Sequence, residues 1–549
     1  MKFLKHIRSK SKLKNGAEAQ SYDSYAPTQA ASYSGNHSSP ISRLPAKILG
    51  EIFASVCPHT RDESYSTSED SMIDDGCMLC DMRDLAQCAL VCRQWTGITQ
   101  DLLYHSIRVD AVHYCEREVK LAEKRKRRSF FDRNADPKDA PQQRLQLLSR
   151  TVRETAALAV QVHYLKMPYM TRETCKADLA RTVSVLPNLR FVDLPEGFYS
   201  DDNSANTLKN ELQSRCPDIR KMKYFAGAEG SFTALAQHRP WQNMEDLELS
   251  GISVEPSTLL YVLGSFPVLH RLKLVDLPWL DDQIFTTNPS IPPFPAVNKL
   301  TLESIPNISS HGFALYLSRP ETREALASLS LAKTGILSTT LHEVLARAPR
   351  LDTLSISENV ERSFPLSPTP PLSSRSLQIL NFEILSSNTN PHTLHPPSES
   401  YYNYLSTSLM SGTLPSLSAL YAFSPSLPLL LLAPPTAPFA PKNGNSPYTG
   451  LRHPLNLYTK STPELEWDLT VISPPTPTNR RGSATATRPV STYSNFGLGP
   501  AWGGQERDSV IVGNGFGGFL AVPTESGAGR SGIPGGGKKG GTRTAEWMG

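Results

Sequence analysis

The residues with the clearest capacity for chemistry are four cysteines in one stretch: Cys77, Cys80, Cys88 and Cys92. Cys77 and Cys80 form a C-x-x-C pair, and four thiolates are a donor set for structural zinc. The second pair argues against that use. Cys88 and Cys92 are four residues apart on an apolar-periodic segment, where small side chains pack into a core, so no metal is expected. The chain carries no Walker loop, no G-x-G-x-x-G after a strand, no H-E-x-x-H and no G-x-S-x-G. The glycines at 513–518 fall in a low-complexity tail, and none of the 13 histidines sits in a recognisable nucleophile context. No catalytic residue and no cofactor is assigned. What is left is binding chemistry.

Two short segments must position it. In the first, Leu44, Ile48, Leu49, Ile52 and Phe53 recur at spacings of three and four, which places them on one helical stripe. Pro45 suits a helix start, where its missing N–H would be unpaired anyway. In the second, Leu85, Cys88, Ala89, Cys92 and Trp95 repeat the spacing after Asp84, read as a helix N-cap. Leu103 and Tyr104 follow. An acidic, Ser-rich insert at 57–83 separates the two. A unit this small cannot bury both apolar faces alone, so it is expected to dock on a partner.

The arrangement resembles the F-box, and in particular the F-box proteins of fungi. The resemblance rests on Leu44-Pro45, Ile48, Ile52-Phe53, Asp84-Leu85, Cys88, Leu90-Val91-Cys92-Arg93, Trp95 and Leu103-Tyr104. It implies a three-helix motif that packs on the adaptor Skp1 and so joins a cullin-RING ubiquitin ligase. The Skp1-binding set it implies is Leu44, Pro45, Ile48, Leu49, Ile52, Phe53, Leu85, Leu90, Val91 and Trp95. Of these, Leu44, Pro45, Ile48 and Ile52 would face the adaptor, and Leu90, Val91 and Trp95 would be shared between core and interface. It also implies a non-catalytic subunit. The insert at 57–83 is longer than the motif usually carries.

At 549 residues the chain exceeds one core. A formal net charge of +4 is too small over this length for a general nucleic-acid footprint. Hydrophobic content of 39% together with 45 prolines implies that part of the chain is disordered. Eight scattered cysteines without framework spacing read as reduced thiols, hence cytoplasm and/or nucleus. The longest aliphatic run, Leu429–Leu432, is too short to span a bilayer, so no membrane partner is expected. The domain reading is a disordered basic arm over 1–40, an F-box over 41–110 and a charged helical linker over 111–150. A repeat region over 151–472 and a disordered Pro/Ser/Gly-rich tail over 473–549 complete it. Phe3, Leu4 and Ile7 offer a weak amphipathic alternative within the arm. In the linker, Lys124 to Arg128 read as a solvated helix face, or as an import signal or phosphate contact.

Apolar residues at i, i+3 and i+5 recur ten times from Val162 on. The triplets are Val162/Leu165/Met167, Leu189/Val192/Leu194, Ile219/Met222/Tyr224, Met244/Leu247/Leu249 and Leu269/Leu272/Leu274. Then come Val297/Leu300/Leu302, Leu326/Leu329/Leu331, Leu351/Leu354/Ile356, Leu377/Leu380/Phe382 and a poorer Leu417/Leu420/Ala422. The first nine anchors are 25 to 30 residues apart and the last gap is 40. Triplets alone are weak evidence of a repeat, but proline lies two residues before six of the ten anchors: Pro187, Pro217, Pro267, Pro295, Pro349 and Pro415. Proline ends a helix and releases the chain into an extended segment. Helical faces precede several of them: Leu179/Val183/Leu186, Leu259/Leu260/Leu263/Phe266 and Leu341/Val344/Leu345/Ala348. Each unit therefore reads helix, proline, strand. The fold class is α/β: a small all-α F-box followed by an irregular solenoid that resembles leucine-rich repeats, without their asparagine ladder, and with disordered tails. Segments around 363–376 and 386–400 read as inserted loops, and LEWDLTVI as a capping strand. An ordinary parallel α/β domain is the alternative.

The functional expectation is a substrate-recognition adaptor of a Skp1-cullin-F-box ligase, with an unknown protein as substrate. Residues between inward anchors would face that protein: Glu245, Asp246 and Glu248, His270, Arg271 and Lys273, or Asn298, Lys299 and Thr301. The alternatives are a scaffold that binds Skp1 without a cullin and, less favoured, a nuclear nucleic-acid-associated protein.

Overall fold

Burial of alternate side chains on an extended segment needs a second layer over the covered face, and helices supply it in this chain. In the computed structural model every anchor triplet named above is buried. The structure describes residues 44–71, 78–109, five positions between 116 and 123, 140–387, 396–432, 453–462 and 464–473. It also describes the course of two strands near the C-terminus. The chain divides into two compact units, Met1–Thr476 and Pro477–Gly549.

The first unit begins with three helices: α1 (Ala46–Val56), α2 (Met78–Cys88) and α3 (Arg93–His105). Their own small core holds Leu49, Phe53, Cys57 and Leu85, with Trp95, Ile98 and Leu102 packed against it. The Phe53 and Trp95 rings meet edge to face at 4.9 Å. The second predicted helix is corrected. Asp84 lies inside α2 rather than capping it, and the helix closes at Cys88 through a tight turn. In that turn Leu90 N–H donates to Gln87 C=O and Val91 N–H to Cys88 C=O. Cys92, extended at φ −159°, then opens α3. Leu90 and Val91 sit in the turn, so the apolar period that seemed continuous runs across a break. Cys88 packs at the edge of the core, whereas Cys92 is exposed rather than packed.

No spacer separates α3 from the repeats. Strand β1 (Ser106–Arg108) follows directly and pairs in parallel with β2 (Tyr164–Lys166), which pairs with β3 (Phe191–Val192). A backbone bond from Arg220 N–H to Arg190 C=O leads on to the main sheet. That sheet stacks β4 (Lys221–Phe225), β5 (Asp246–Ser250), β6 (Arg271–Val275), β7 (Lys299–Glu303) and β8 (Ser328–Ala332). It continues through β9 (Thr353–Val360), β10 (Ile379–Ser386), β11 (Ala419–Ala422) and β12 (Leu455–Thr459). All are parallel and in chain order. An antiparallel last strand, β13 (Asp468–Ile472), closes the edge and coincides with the LEWDLTVI segment. β1 and β12 were not anticipated: β12 carries no full anchor triplet, and the β1 triplet, Tyr104/Ile107/Val109, starts on a residue of the helical unit and precedes the first one counted. Helices Lys176–Val183, Pro256–Gly264 and Leu341–Arg347 cover the other layer on the faces expected. Helix Ala140–Glu154 crosses the expected linker boundary at 150 and buries Leu145 and Val152 in the same core.

The basic arm 1–40, with Phe3, Leu4 and Ile7, lies outside the described residues, as do Lys124 to Arg128 and Cys77. Of the tail, only an antiparallel pair is described, Ser509–Gly513 with Phe519–Pro523. Among the described residues no helix is long and apolar enough to cross a membrane.

In place of an asparagine ladder the repeats share a left-handed residue one step beyond each strand. These are Gly251 (φ +64°), Asp276 (+52°), Ser304 (+55°) and Lys333 (+51°) after β5 to β8. Each donates its N–H to the next unit: Gly251 to Val275, Asp276 to Glu303, Ser304 to Ala332 and Lys333 to Ser357. The device adds one ladder bond while it turns the chain away. A Cβ at Gly251 would meet only the Ala226 side chain, at an ordinary 3.5 Å. Gly251→Ala is therefore expected to lower stability by about 1 kcal/mol through backbone strain alone. Gly251→Asn should lose less, and thermal unfolding of the two variants checks the order.

Candidate functional site

Two surfaces come out of this fold. The first is on the helical domain. Its predicted adaptor set divides in two. Leu49, Phe53 and Leu85 are buried in the domain's own core and offer no contact surface, a correction to the expected list. Trp95 and Leu44 are half-buried against the same core. Pro45 is exposed, and Ile48 and Ile52 are solvent-facing neighbours one turn apart on α1. Leu90 is 86% exposed and Val91 62%. The Gln94 amide donates to Leu44 C=O at 3.2 Å, which holds the 89–92 turn beside the start of α1. A domain with so small a core leaves these side chains in water.

The second surface is the outward face of β4 to β7, between the buried anchors. Here the parallel register puts charges in rows. Asp246 lies between Lys221 (3.6 Å) and Arg271 (3.2 Å), and Glu248 between Lys223 (3.1 Å) and Lys273 (2.9 Å). Arg220 bonds Glu245 at 2.7 Å. Burial pushes the Glu248 carboxyl up, but the bonds from Lys273 and Lys223 prevail and hold it below its ordinary value. A cleft of about 890 Å³ runs along this face, and it brings together Glu245, Asp246, Glu248, His270, Arg271, Lys273, Asn298, Lys299 and Thr301.

One wall was unforeseen. The insert folds into a strap, Asp62 to Ser71, laid over the strands. Lys166 of β2 is buried beneath it and bonds Asp62 at 2.6 Å and Ser64 Oγ at 2.9 Å. Burial favours the neutral Asp62, yet the Lys166 and Ser64 bonds keep it below the usual carboxylate range. The Tyr65 hydroxyl donates to Glu245 at 3.0 Å, Lys221 Nζ donates to Tyr65 C=O at 2.8 Å, and the Arg271 guanidinium stacks 5.2 Å from the Tyr65 ring centroid. Burial, and then Glu245, raise the Tyr65 phenol well above its ordinary value. Farther on, Glu69 accepts from Tyr169 N–H at 2.6 Å and from Arg172 at 3.2 Å, and Arg108 donates to Ser71 C=O at 2.8 Å. Glu63 to Ser66 line the cleft with Tyr164, Arg190, Arg220 and Lys221. The between-anchor rule that singled out Glu245 and Arg271 reaches Lys221 too. Nothing local marks the strap, because its partners are up to 180 residues away.

Among the described residues no group of three or more His, Cys, Asp or Glu side chains is gathered as a metal requires. Burial, with Asp81 adding to it, pushes the Cys57 thiol up to about 11, so it stays protonated at neutral pH.

These features define a class: a three-helix domain whose last helix runs directly into a parallel strand–helix array. Residues 41–110 match the F-box-like family, and this part of the chain is an F-box-like domain. No curated protein matches the sequence. Among solved structures the chain is similar to one chain of the crystal structure of the Rad7 and Elc1 complex in yeast. That similarity has 14% identity and a TM-score of 0.32, and it covers 62% of this chain and 98% of that one.

Asp193 joins strap and array. Its Oδ2 accepts from Ser68 N–H (2.9 Å) and Met167 N–H (3.0 Å), while Oδ1 is buried without a partner. Burial outweighs those bonds and the nearby Arg172, and raises its pKa from 3.8 to about 6. The folded chain therefore takes up this proton before the unfolded chain does. Ionised Asp193 costs stability above pH 6, and the cost is relieved as pH falls from about 6 to about 4. Asp193→Asn should remove this contribution, so the difference in Tm between variant and wild type changes across that window. A difference that stays constant from pH 4 to pH 7 would refute the assignment.

Proposed function

We propose that this protein is a non-catalytic substrate-recognition adaptor of a Skp1-cullin-F-box ubiquitin ligase. The observation that carries the reading is the F-box-like domain's exposed apolar set, Ile48, Ile52, Leu90 and Val91, on a domain whose own core is filled by Leu49, Phe53, Cys57 and Leu85. A Skp1-like adaptor is the partner for that face, and a cullin is reached through it. The charged face of β4 to β7, of a kind with leucine-rich-repeat recognition faces, is the proposed target-binding end. A ligase subunit of this type contributes proximity: it raises the effective concentration of target lysines near the charged ubiquitin carrier. The direct junction of α3 with β1 supports the reading, because proximity is useful when the two ends keep a set geometry.

The test separates contact from core. An Ile48→Asp, Leu90→Asp double variant alters only exposed positions, so it should keep the wild-type Tm and lose Skp1 on co-purification. Leu85→Ala should instead destabilise the helical domain by about 2–5 kcal/mol through the cavity it leaves. Undiminished Skp1 recovery by the double variant would exclude the proposed face. Cullin co-precipitation then distinguishes a ligase subunit from a scaffold that holds Skp1 alone.

A further inference from the structure

We propose that the cleft between the strap and β4 to β7 binds an extended, acidic segment of a partner protein, with Tyr65 of the strap forming one wall of the site. This deepens the recognition role proposed above and rests on it. The first argument is the depth at which each sign of charge lies. On β5 the acids are the covered members of their rows, with Asp246 and Glu248 side chains each 15% exposed. The bases flanking them on β6 stand out, Arg271 at 44% and Lys273 at 42%. On the next strand Lys299 is exposed, faces Arg271 in register, and makes no ion pair among the described residues. The cleft therefore shows an incoming chain mainly the positive ends of its rows.

The second argument is spacing. Arg271 and Lys273 are two residues apart on one strand, about 6.6 Å, which is close to the separation of carboxylates at alternate positions of an extended peptide. Lys299 lies about 4.8 Å to the side, one strand over, and broadens the positive field without requiring a second register.

The third argument is an example inside the molecule. The strap is itself an acidic, hydroxyl-rich stretch in largely non-helical conformation, and the array holds it by this chemistry. Asp62 sits on Lys166 and Glu69 on Arg172, while Lys221 binds the Tyr65 carbonyl. The open part of the cleft continues that surface beyond Tyr65. A nucleic acid suits it less well, because the groups the array already holds in the strap are carboxylates and a backbone carbonyl, and a formal net charge of +4 over 549 residues is too small for a general nucleic-acid footprint.

The experiment uses the full chain and a fluorescein-labelled nonapeptide of alternating glutamate and serine, read by fluorescence anisotropy. A glutamine-serine peptide and an oligothymidylate of equal charge are the comparators. The glutamate peptide should bind, and weaken steeply with salt. Lys273→Glu with Lys299→Glu should raise Kd by about tenfold or more, and Tyr65→Ala should raise it less. Lys299→Glu alone, at an exposed unpaired position, keeps the measurement readable should the double variant not fold. Equal binding of the glutamine peptide, tighter binding of the oligothymidylate, or an unchanged Kd in a folded Lys299→Glu variant would overturn the proposal. Skp1 co-purification is followed on the same samples. A wild-type chain that holds Skp1 and ignores the glutamate peptide overturns the ligand class alone. One that binds the peptide but not Skp1 overturns the adaptor reading alone.

Discussion

The parallel ladder of backbone hydrogen bonds is the constraint on which the rest of this molecule depends. Each strand has donors and acceptors on both edges, and an open edge is a liability that must be paired or covered. The array begins with β1, which emerges from α3 with no residue between helix and strand, and ends at the antiparallel β13. The helical domain is therefore set by the ladder and cannot turn independently about a linker. The left-handed residues after β5 to β8 serve the same demand, since each adds one more bond to the next unit before the chain leaves the sheet.

The strap works by a different force. Asp62 and Lys166 form an ion pair of which Lys166 is almost wholly out of water, and burial depresses the Lys166 pKa despite its partner. The net stability such a pair adds is small or negative, because desolvation offsets attraction, but losing one partner typically costs about 3–5 kcal/mol. Its consequence is positional. It holds an acidic loop of the helical domain against strands that begin the array, so the insert of that domain supplies one wall of the proposed target cleft.

Along the outward face the chemistry changes with strand number. Charges in register dominate β4 to β6. Hydroxyl side chains follow on β8 and β9, with Ser328, Ser330, Thr353, Ser355 and Ser357. Near the far end Tyr421 and Tyr458 stack at 4.4 Å, with Trp467 against Tyr421 at 5.2 Å. Since each unit touches only its neighbours, the outward residues of one strand carry no packing duty for strands farther away. That freedom lets one end of the array be ionic and the other aromatic on a constant interior.

The anchor triplets, the prolines before them and the stripe on α1 were legible from residue types alone, because each reflects a period of one element: two for a strand, 3.6 for a helix. The outward positions Glu245, Asp246, His270 and Arg271 followed from the same alternation. The break between α2 and α3 was hidden because Leu85, Cys88 and Trp95 keep the helical spacing across the turn. β12 escaped because it carries no full anchor triplet, and β1 because its triplet, Tyr104/Ile107/Val109, overlaps the end of the helical unit. The division of the adaptor set into buried Leu49, Phe53 and Leu85 and exposed Ile48 and Leu90 also lay beyond periodicity, which names a stripe but not what covers it. The sequence by itself determined the repeating interior. Only the tertiary structure decided that the insert crosses the strand face, because Asp62–Lys166 and Tyr65–Glu245 join residues 104 and 180 positions apart, and no local spacing encodes a contact across that distance.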